Sequence, residues 1–336
     1  MSTGNVETVA ATRTLTFARA INEALAEELR RDHTVFVIGE DVAEAGTAFK
    51  VLAGLVEEFG PERILDSPIS EAGITGLGVG AAMTGMRPVV DIMFGDFLTL
   101  VMDQLANQAA KTHYMSGGKL NVPMTLRTTM GATRRSAAQH SQSLHAWVAH
   151  VPGLKVVLPS TPADAKGLLK TAIRDDNPVV VIEDKMDYAV TGEVPEGELT
   201  IPFGVADVKR EGEDVTIVAT SSMVRVALAA AEQLESDGIS AEVVDPRTLV
   251  PLDREALVRS AQKTGRAIVV DEGYRSYGAS AELAAVIGEG AFWGLDGPVR
   301  RCAAMDVPVP FSPPLEDATV PTPELVALTA RELCGR

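Results

Sequence analysis

Short apolar runs alternate with helical patterns along this chain, and that alternation constrains its fold more than any other feature. In the first half, residues 14–31 and 162–174 place apolar side chains at helical spacing. Apolar runs of strand length accompany them at residues 34–38, 88–93, 122–126, 155–158 and 178–182. Strands that alternate with helices predict a mainly parallel sheet with helices on both faces.

The same alternation restarts after residues 191–204, which we interpret as a linker. Its first part is rich in glycine, proline and acid and shows no periodicity. Beyond it, strand patterns at 215–219, 241–244 and 267–270 alternate with helical patterns at 222–234, 253–263 and 279–288. The sequence therefore predicts an α/β protein of two domains, residues 1–190 and 205–336. The 336 residues, 46% of them hydrophobic, are enough for two domain cores.

The composition excludes several classes of function. A net charge of −16 argues against binding to nucleic acid, which requires a basic surface. The two cysteines, Cys302 and Cys334, indicate neither a disulfide framework nor a metal site. We expect a cytoplasmic protein without a membrane span, because residues 1–12 show no secretion signal and the apolar runs are short.

The segment that ends at Glu71 is the strongest candidate site in the chain. Glu71 follows the proline-stiffened stretch Ser67–Ser70 and stands directly before an apolar helix of small residues. We expect this carboxylate to be held at the helix start, partly out of water and directed at a ligand. Glu40 and the residues after Leu126 also follow predicted strands, and sites in parallel sheets collect at the carboxyl ends of strands.

The glycines of that helix have two interpretations. Gly76, Gly78 and Ala81 fit the spacing of a dinucleotide-binding fingerprint. That fingerprint must follow a strand directly and open a helix, whereas these residues lie inside the predicted helix. Close packing of the helix against another element is therefore the better interpretation.

Two further patterns also leave alternatives open. His140 and His145 follow a glycine-led loop after a strand, where catalytic loops lie, but either histidine could instead be a core residue. Asp175 and Asn177 follow a helix and precede a proline. They could end the helix through Asx turns, or they could join the free carbonyl groups of the helix end in binding a hard cation.

Several blocks of the chain, in order, resemble a single family. They are residues 66–71, 109–118, 137–142, 152–157, 164–169 and 245–248. The family is the β subunit of the thiamine-diphosphate-dependent first component of 2-oxo acid dehydrogenase complexes, with the pyruvate and acetoin branches the most similar. The resemblance runs from about Thr14 to about Leu333. It implies a thiamine-binding pyrimidine-type parallel-sheet domain followed by a transketolase C-terminal-type α/β domain.

The resemblance also implies roles for individual residues. Glu71 resembles the carboxylate that bonds N1′ of the aminopyrimidine, and Phe97 resembles the ring that packs against it. His140 resembles the histidine of acyl transfer to the lipoyl group, and Glu40 an acid near the cofactor. A structural potassium site is implied for Met124, Ala172, Ile173, Asp175 and Asn177.

The implied assembly is an α2β2 heterotetramer that acts on a 2-oxo acid or acetoin and docks on a lipoyl acyltransferase core. In the family the α subunit holds Mg²⁺ and the diphosphate, and this chain has no Gly-Asp-Gly element of the kind that binds them. Arg134 and Arg135 depart from the smaller residues expected there, and they could recognise a substrate or an acid of the lipoyl domain. The alternative function is a non-catalytic docking subunit of such a complex.

Overall fold

The computed structural model describes residues 11–335. Residues 1–10 and Arg336 lie outside the described residues. They include the outer ends of both predicted domains and most of the segment, residues 1–12, that shows no secretion signal. Within residues 11–335, no helix is long and apolar enough to cross a membrane.

The first part of the chain forms strands and helices in alternation. They are β1 (Thr12–Thr16), α1 (Phe17–Arg31), β2 (Val35–Gly39), α2 (Leu55–Phe59), β3 (Ile64–Asp66), α3 (Glu71–Met83), β4 (Arg87–Ile92), α4 (Leu98–Asp103), α5 (Ala110–Met115), β5 (Thr125–Met130), α6 (His145–Ala149), β6 (Lys155–Val157), α7 (Pro162–Arg174) and β7 (Val179–Asp184). A 3-10 turn at Gly95–Phe97 precedes α4, and a π-helical segment at Gln104–Ala109 joins α4 to α5.

The second part repeats this alternation. It contains β8 (Thr191–Pro195), β9 (Asp207–Arg210), β10 (Val215–Ala219), α8 (Met223–Glu235), β11 (Ala241–Asp245), β12 (Thr248–Val250), α9 (Arg254–Thr264), β13 (Ala267–Tyr274), α10 (Ala279–Gly290), β14 (Arg300–Ala304), α11 (Pro313–Asp317) and α12 (Pro323–Leu333). A 3-10 turn at Phe292–Gly294 follows α10.

Two mainly parallel sheets confirm the predicted α/β class. The larger has the order β12-β6-β7-β5-β4-β2-β3, and every pair in it is parallel except β12 with β6. The smaller has the order β14-β13-β10-β11-β9, and only its edge strand β9 is antiparallel.

The apolar runs of the sequence are buried on both faces of the larger sheet. Val37, Val89 and Val181 pack with α1, α2 and α7 on one face. Their neighbours in sequence, Ile38 and Val90, pack with α3, α4 and α6 on the other. Because both faces are covered, these strands have continuous apolar runs instead of an alternating pattern.

The predictions for residues 14–16 and 191–195 were wrong. Residues 14–16 belong to strand β1 and not to the first helix, which begins at Phe17 after Thr16 accepts a hydrogen bond from the Arg19 N–H (3.2 Å). Strand β1 pairs antiparallel with Thr191–Pro195, so the predicted linker begins as strand β8. The partner of each strand is distant in sequence, and no local periodicity marks the pair.

Strand β5 lies further along the chain than the predicted run at 122–126. It includes Arg127, which is buried between Asp91 and Glu183 and donates to Glu183 at 3.0 and 2.6 Å. These buried ion pairs compensate for the burial of the Arg127 charge. A prediction based on apolar runs does not place such a charged residue in a strand.

Candidate active site

Four neighbouring parallel strands direct the predicted site residues to one edge of the larger sheet. Their order is β3-β2-β4-β5. Glu71 follows β3, Glu40 follows β2, Phe97 follows β4 and His140 follows β5. Because the strands are parallel, their carboxyl ends lie at the same edge, where ligands bind in open α/β sheets.

Glu71 is the first residue of α3 and is half-buried, as the sequence predicted. A carboxylate in a first turn is stabilised by the free N–H groups of the helix start. Apolar side chains are exposed on both sides of it in sequence, since Ile69 is 75% exposed and Leu77, further along α3, is 50% exposed. The surroundings of Glu71 therefore have room for another molecule.

The charge of Glu71 affects the pKa of Glu40. The pKa of the half-buried Glu40 carboxyl is raised, first by burial and then by the negative charges of Asp41 and Glu71. This edge of the sheet thus combines several carboxylates, of which Glu40 is biased toward its neutral form.

An aromatic cluster surrounds His140. Its imidazole lies 4.8 Å from the ring of Phe94 and 5.5 Å from the ring of Phe97, edge to face in both cases. The two phenylalanine rings are 6.0 Å apart, and Phe49 contacts Phe94 at 5.7 Å. The half-buried histidine is therefore fixed in an apolar setting while part of it stays open to solvent.

The loop that carries His140 has an unusual backbone. Gly131 has φ 102°, and the non-glycine residues Thr133, Arg135 and Ala137 have φ of 66°, 62° and 60°. Each such residue in the left-handed region costs on the order of 1 kcal/mol or more, so the surrounding structure must hold the loop in place. A Cβ at Gly131 would lie 2.7 Å from Asp184 Oδ2, which requires glycine there.

Sequence reasoning missed Lys185, which underlies this loop. Lys185 directly follows β7, is buried, and donates a hydrogen bond from Nζ to the carbonyl oxygen of His140. Its ammonium lies 5.5 Å from the centroid of the Phe94 ring. Burial lowers its pKa, although Asp96 and other nearby acids act in the opposite direction. The rule that placed Glu40 and Glu71, a polar residue directly after a strand, could have found it.

The two histidines of the loop region have different surroundings. His145 is fully buried at the start of α6, and its Nε2 lies 2.9 Å from Oδ1 of Asp271, which is also fully buried. His140 is half-buried beside Phe94 and Phe97. The core role left open by the sequence thus belongs to His145, and His140 is the candidate for chemistry.

Gly76, Gly78 and Ala81 lie inside helix α3, which excludes a dinucleotide fingerprint, and the packing interpretation is confirmed at Gly78. A Cβ at Gly78 would lie 2.5 Å from Val90 Cγ2 and 3.1 Å from Met124 Sδ. Gly78 therefore lets the helix lie close against strand β4.

Comparison with known families matches both parts of the chain. Residues 13–191 match the transketolase pyrimidine binding domain, and residues 204–326 match the transketolase C-terminal domain. The β subunit of acetoin:2,6-dichlorophenolindophenol oxidoreductase from Bacillus subtilis (strain 168) is 49% identical, covering 96% of this chain and 98% of the relative. The β subunit of 2-oxoisovalerate dehydrogenase from the same organism is 46% identical, covering 95% and 98%.

A third relative is the β subunit of the pyruvate dehydrogenase E1 component from Rickettsia felis, 46% identical over 95% of this chain and 98% of its own length. The chain belongs to the β subunits of the 2-oxo acid and acetoin dehydrogenases. This family depends on thiamine diphosphate, and its pyruvate and acetoin branches are both among the relatives. The predicted family is thereby confirmed.

A solved structure shares the β-subunit fold. It is described as a split gene transketolase in an inactive β4 tetramer, and it matches with a TM-score of 0.78 and 25% identity over 96% of this chain and 98% of its own. The transketolase-type architecture predicted from the sequence is confirmed.

The candidate site fits one end of thiamine diphosphate in this β subunit. A half-buried carboxylate at Glu71 and the ring of Phe97 suit an aminopyrimidine, which needs a proton partner and an apolar wall. The carboxylates of Glu40, Asp41 and Glu71 make the same edge unfavourable for a diphosphate.

The residues of the predicted potassium site lie together, at the opposite, amino-terminal edge of the sheet. The carbonyl of Met124 accepts from the Val179 N–H (3.0 Å), and that of Ala172 accepts from the Asp175 N–H (3.2 Å). The Arg87 guanidinium donates to the carbonyls of Ile173 (3.2 Å) and Asp175 (2.9 Å).

The carboxylate of Asp175 pairs with Lys155 and accepts from the N–H of Asn177 (2.9 Å), which is the Asx turn that the sequence also allowed. The oxygens that potassium would use are therefore present but already have cationic or N–H partners. Potassium binding stays a prediction.

The two unexpected arginines have different partners. The Arg134 guanidinium lies 5.1 Å from the ring centroid of Phe49 and is exposed. Arg135 forms ion pairs within the chain, with Glu316 and Asp317 at 2.7 Å each. Arg135 is thereby occupied by the C-terminal domain, which argues against its expected role in recognising a substrate.

Proposed function

We propose that this chain and an α subunit together form a thiamine-diphosphate-dependent dehydrogenase of pyruvate, another 2-oxo acid or acetoin. The complex cleaves a C–C bond of its substrate and transfers the acyl group to a lipoyl disulfide. The observation that carries the proposal is the convergence of Glu71, Phe97 and His140 at the carboxyl ends of neighbouring strands, in a chain of this family.

Glu71 would hold the aminopyrimidine of the cofactor through its N1′ atom and exchange a proton with it. Bound thiamine diphosphate supplies the nucleophilic carbon and the electron sink for the cleavage. Phe97 would pack against the pyrimidine and exclude water from one side. Glu40, whose pKa is raised by burial and by its acidic neighbours, is a proton reservoir beside Glu71.

His140 would handle the proton of the transfer step. The lipoyl disulfide needs a proton at one sulfur when the acyl group joins the other, and histidine is the side chain that most often transfers protons in enzymes. Phe94, Phe97 and Lys185 hold the ring and the backbone of His140, so its position is set before the acyl acceptor arrives.

The α subunit would complete the site by holding Mg²⁺ and the diphosphate, in an α2β2 assembly. The acidic edge at Glu40, Asp41 and Glu71 supports this division, since it would repel an unneutralised diphosphate. The exposed apolar side chains of Ile69, just before α3, and Leu77, on α3, support a contact of this helix with a partner chain. We expect the chain alone to show no turnover.

The rest of the proposed assembly follows the family. A lipoyl acyltransferase core would dock on the complex and receive the acyl group. A cytoplasmic location suits the low cysteine content of the chain, which has only Cys302 and Cys334. Potassium at the end of α7 would add a structural cation, and a higher melting temperature in KCl than in NaCl would support it.

The test is Glu71→Gln in the co-expressed α/β complex. The amide keeps the size of the side chain but cannot exchange the proton, so we expect turnover to fall on the order of 10²- to 10⁴-fold. The melting temperature should stay unchanged, because the residue is half-exposed in a first helical turn.

Glu57→Gln is the matched control, because Glu57 is an exposed glutamate in the first turn of α2. It should retain full activity. Near-normal turnover of the Glu71→Gln complex would disprove the assignment.

A further inference from the structure

The backbone of the His140 loop is bonded to charged side chains at several points. The Ala132 N–H donates to Glu272 Oε1 at 2.8 Å, and the Gln142 N–H donates to Asp96 Oδ1 at 3.2 Å. Between these ends, the carbonyl of His140 accepts from Lys185. The loop is therefore fixed by Asp96 and Lys185, which follow β4 and β7, and by Glu272 within β13.

At Arg135, the middle of the loop is bonded to the C-terminal domain. The Arg135 N–H lies 3.1 Å from Glu316 Oε2, and its Nη1 donates to the same oxygen at 2.7 Å. The guanidinium also forms a two-fold contact with Asp317, Nη1 to Oδ1 at 2.7 Å and Nη2 to Oδ2 at 3.0 Å. Both acids lie on α11, which is 181 residues away in sequence.

The geometry of these contacts is specific. The side chain of Glu316 is fully buried, and that of Asp317 is 54% exposed. A planar guanidinium can satisfy a buried and an exposed carboxylate at once, whereas an ammonium cannot form the two-fold contact. Arg135 and its neighbours Thr133 and Ala137 have left-handed backbones, so the loop needs an external restraint to stay in this shape.

We propose that Arg135, Glu316 and Asp317 form a clamp through which the C-terminal domain positions His140 for acyl transfer. The three residues touch neither cofactor nor substrate in this proposal; they act through the loop. The clamp rests on the proposed function of His140. It also gives the unexpected arginine at position 135 a role in geometry in place of substrate recognition.

The experiment compares two partial reactions of the α/β complex. One is reduction of 2,6-dichlorophenolindophenol, which requires cleavage of the substrate but no lipoyl group. The other is reductive acylation of a free lipoyl domain. His140→Ala should impair the second reaction and spare the first, and it serves as the reference.

Like His140→Ala, Arg135→Ala should impair lipoyl acylation and spare the dye reaction. We expect lipoyl acylation to fall about tenfold to a hundredfold, because small displacements of a catalytic group have effects of that size. The dye reaction should be unchanged. Arg135→Lys should recover part of the lost acylation, since it restores the charge without the two-fold contact.

Two further variants control for loss of structure. Asp317→Asn lies at an exposed position and should also impair lipoyl acylation while sparing the dye reaction, but to a smaller degree. If the Arg135→Ala chain fails to assemble, the result for Asp317→Asn tests the clamp. Arg300→Ala removes an exposed pair with Glu332 (3.1 Å) in the same domain and should change neither reaction.

The outcomes separate the clamp from the proposed function. If Arg135→Ala and Asp317→Asn each lose both reactions equally, the contact supports the structure in general and does not position His140. This result would overturn the clamp. Unchanged acylation in both would overturn it as well, provided that His140→Ala impairs acylation and spares the dye reaction. If His140→Ala does not separate the two reactions, the proposed role of His140 is wrong, and the clamp is overturned with it.

Discussion

Asp187 is a buried acid whose ionisation opposes folding. It pairs with Arg225, whose Nε lies 2.9 Å from its Oδ1, and its side chain is fully buried. Burial raises its pKa to about 7, with a further contribution from the charge of Asp184, although Arg225 acts in the opposite direction. In the unfolded chain an aspartate titrates near its usual value of about 4.

Replacement of Asp187 by asparagine should therefore stabilise the chain in a pH-dependent way. Between about pH 4 and pH 7 the folded state binds the proton more tightly, so the ionisable side chain lowers the free energy of unfolding as the pH rises. The advantage of Asp187→Asn should be small at pH 4, grow to a few kcal/mol (about 4 at most) near pH 8, and then level off. Urea denaturation across this range measures it, with the exposed Glu289→Gln as control. A constant difference at all pH values would contradict the assigned titration.

For single residues, the sequence could predict those features that depend only on residues nearby in the chain. Glu71 at a helix start and His140 in a loop after a strand follow from local pattern. The contact of Phe94 with His140 and that of Arg135 with Glu316 depend on packing between distant segments. The spacing of residues in a single sequence does not predict such contacts.

Helix α3 is the element that joins the site to the rest of the molecule. Gly78 faces the sheet, where a Cβ would lie 2.5 Å from Val90 Cγ2. Gly80 faces solvent, with nothing within 4 Å of the same point, and Leu77 beside it is half exposed. One helix thus has a face that packs within the chain and a face that the chain leaves uncovered.

Alanine at these two glycines should have opposite effects. Gly78→Ala forces the helix from the sheet and should lower the free energy of unfolding by about 1–3 kcal/mol. Gly80→Ala should raise it by up to about 1 kcal/mol in the chain alone, because alanine favours a helix. If the open face contacts the α subunit, Gly80→Ala should also weaken α/β association, measurable by titration calorimetry. Full association of the Gly80→Ala chain would exclude close packing at that point.

Prediction of the elements succeeded where a segment is buried on both faces. Strands β2, β4 and β7 have apolar runs because helices cover the sheet on each side. Strands β1 and β8 form a separate pair with exposed residues, and β12 is only a short run after a proline. Their patterns resemble loops, because most of their residues are exposed or half-buried.

The two domains of the whole molecule meet at a buried pair of ionisable side chains. His145 on α6 lies 2.9 Å from Asp271 on β13, and both are fully buried. Although burial acts to raise the pKa of Asp271, the charge of His145 and hydrogen bonds from His145 and Thr220 bring it below its usual value. The pair therefore contributes stability at neutral pH, which is lost as the pH falls through the lowered pKa of Asp271.

Removal of the histidine should be strongly destabilising. His145→Leu leaves the Asp271 carboxyl group buried without its partner, and we expect the free energy of unfolding to fall by about 3–5 kcal/mol at pH 7. The exposed pair Arg254–Glu282 (2.9 Å) gives the control, because Arg254→Ala should change stability by about 1 kcal/mol or less. Denaturant unfolding of both variants measures the difference. A His145→Leu chain as stable as the control would show that the pair does not hold the domains together.

Strand β12 makes the sheet of the first domain depend on residues from beyond the domain boundary. Thr248 and Val250 pair with Val157 and Val156 at the outer edge of β6. A fragment that ended at residue 204 would present β6 as an open edge, with free N–H and C=O groups available to strands of other copies. Separate expression of the two domains should therefore give an aggregating first half. Exchange of domains between relatives should succeed only when Thr248–Val250 come from the same parent as β6.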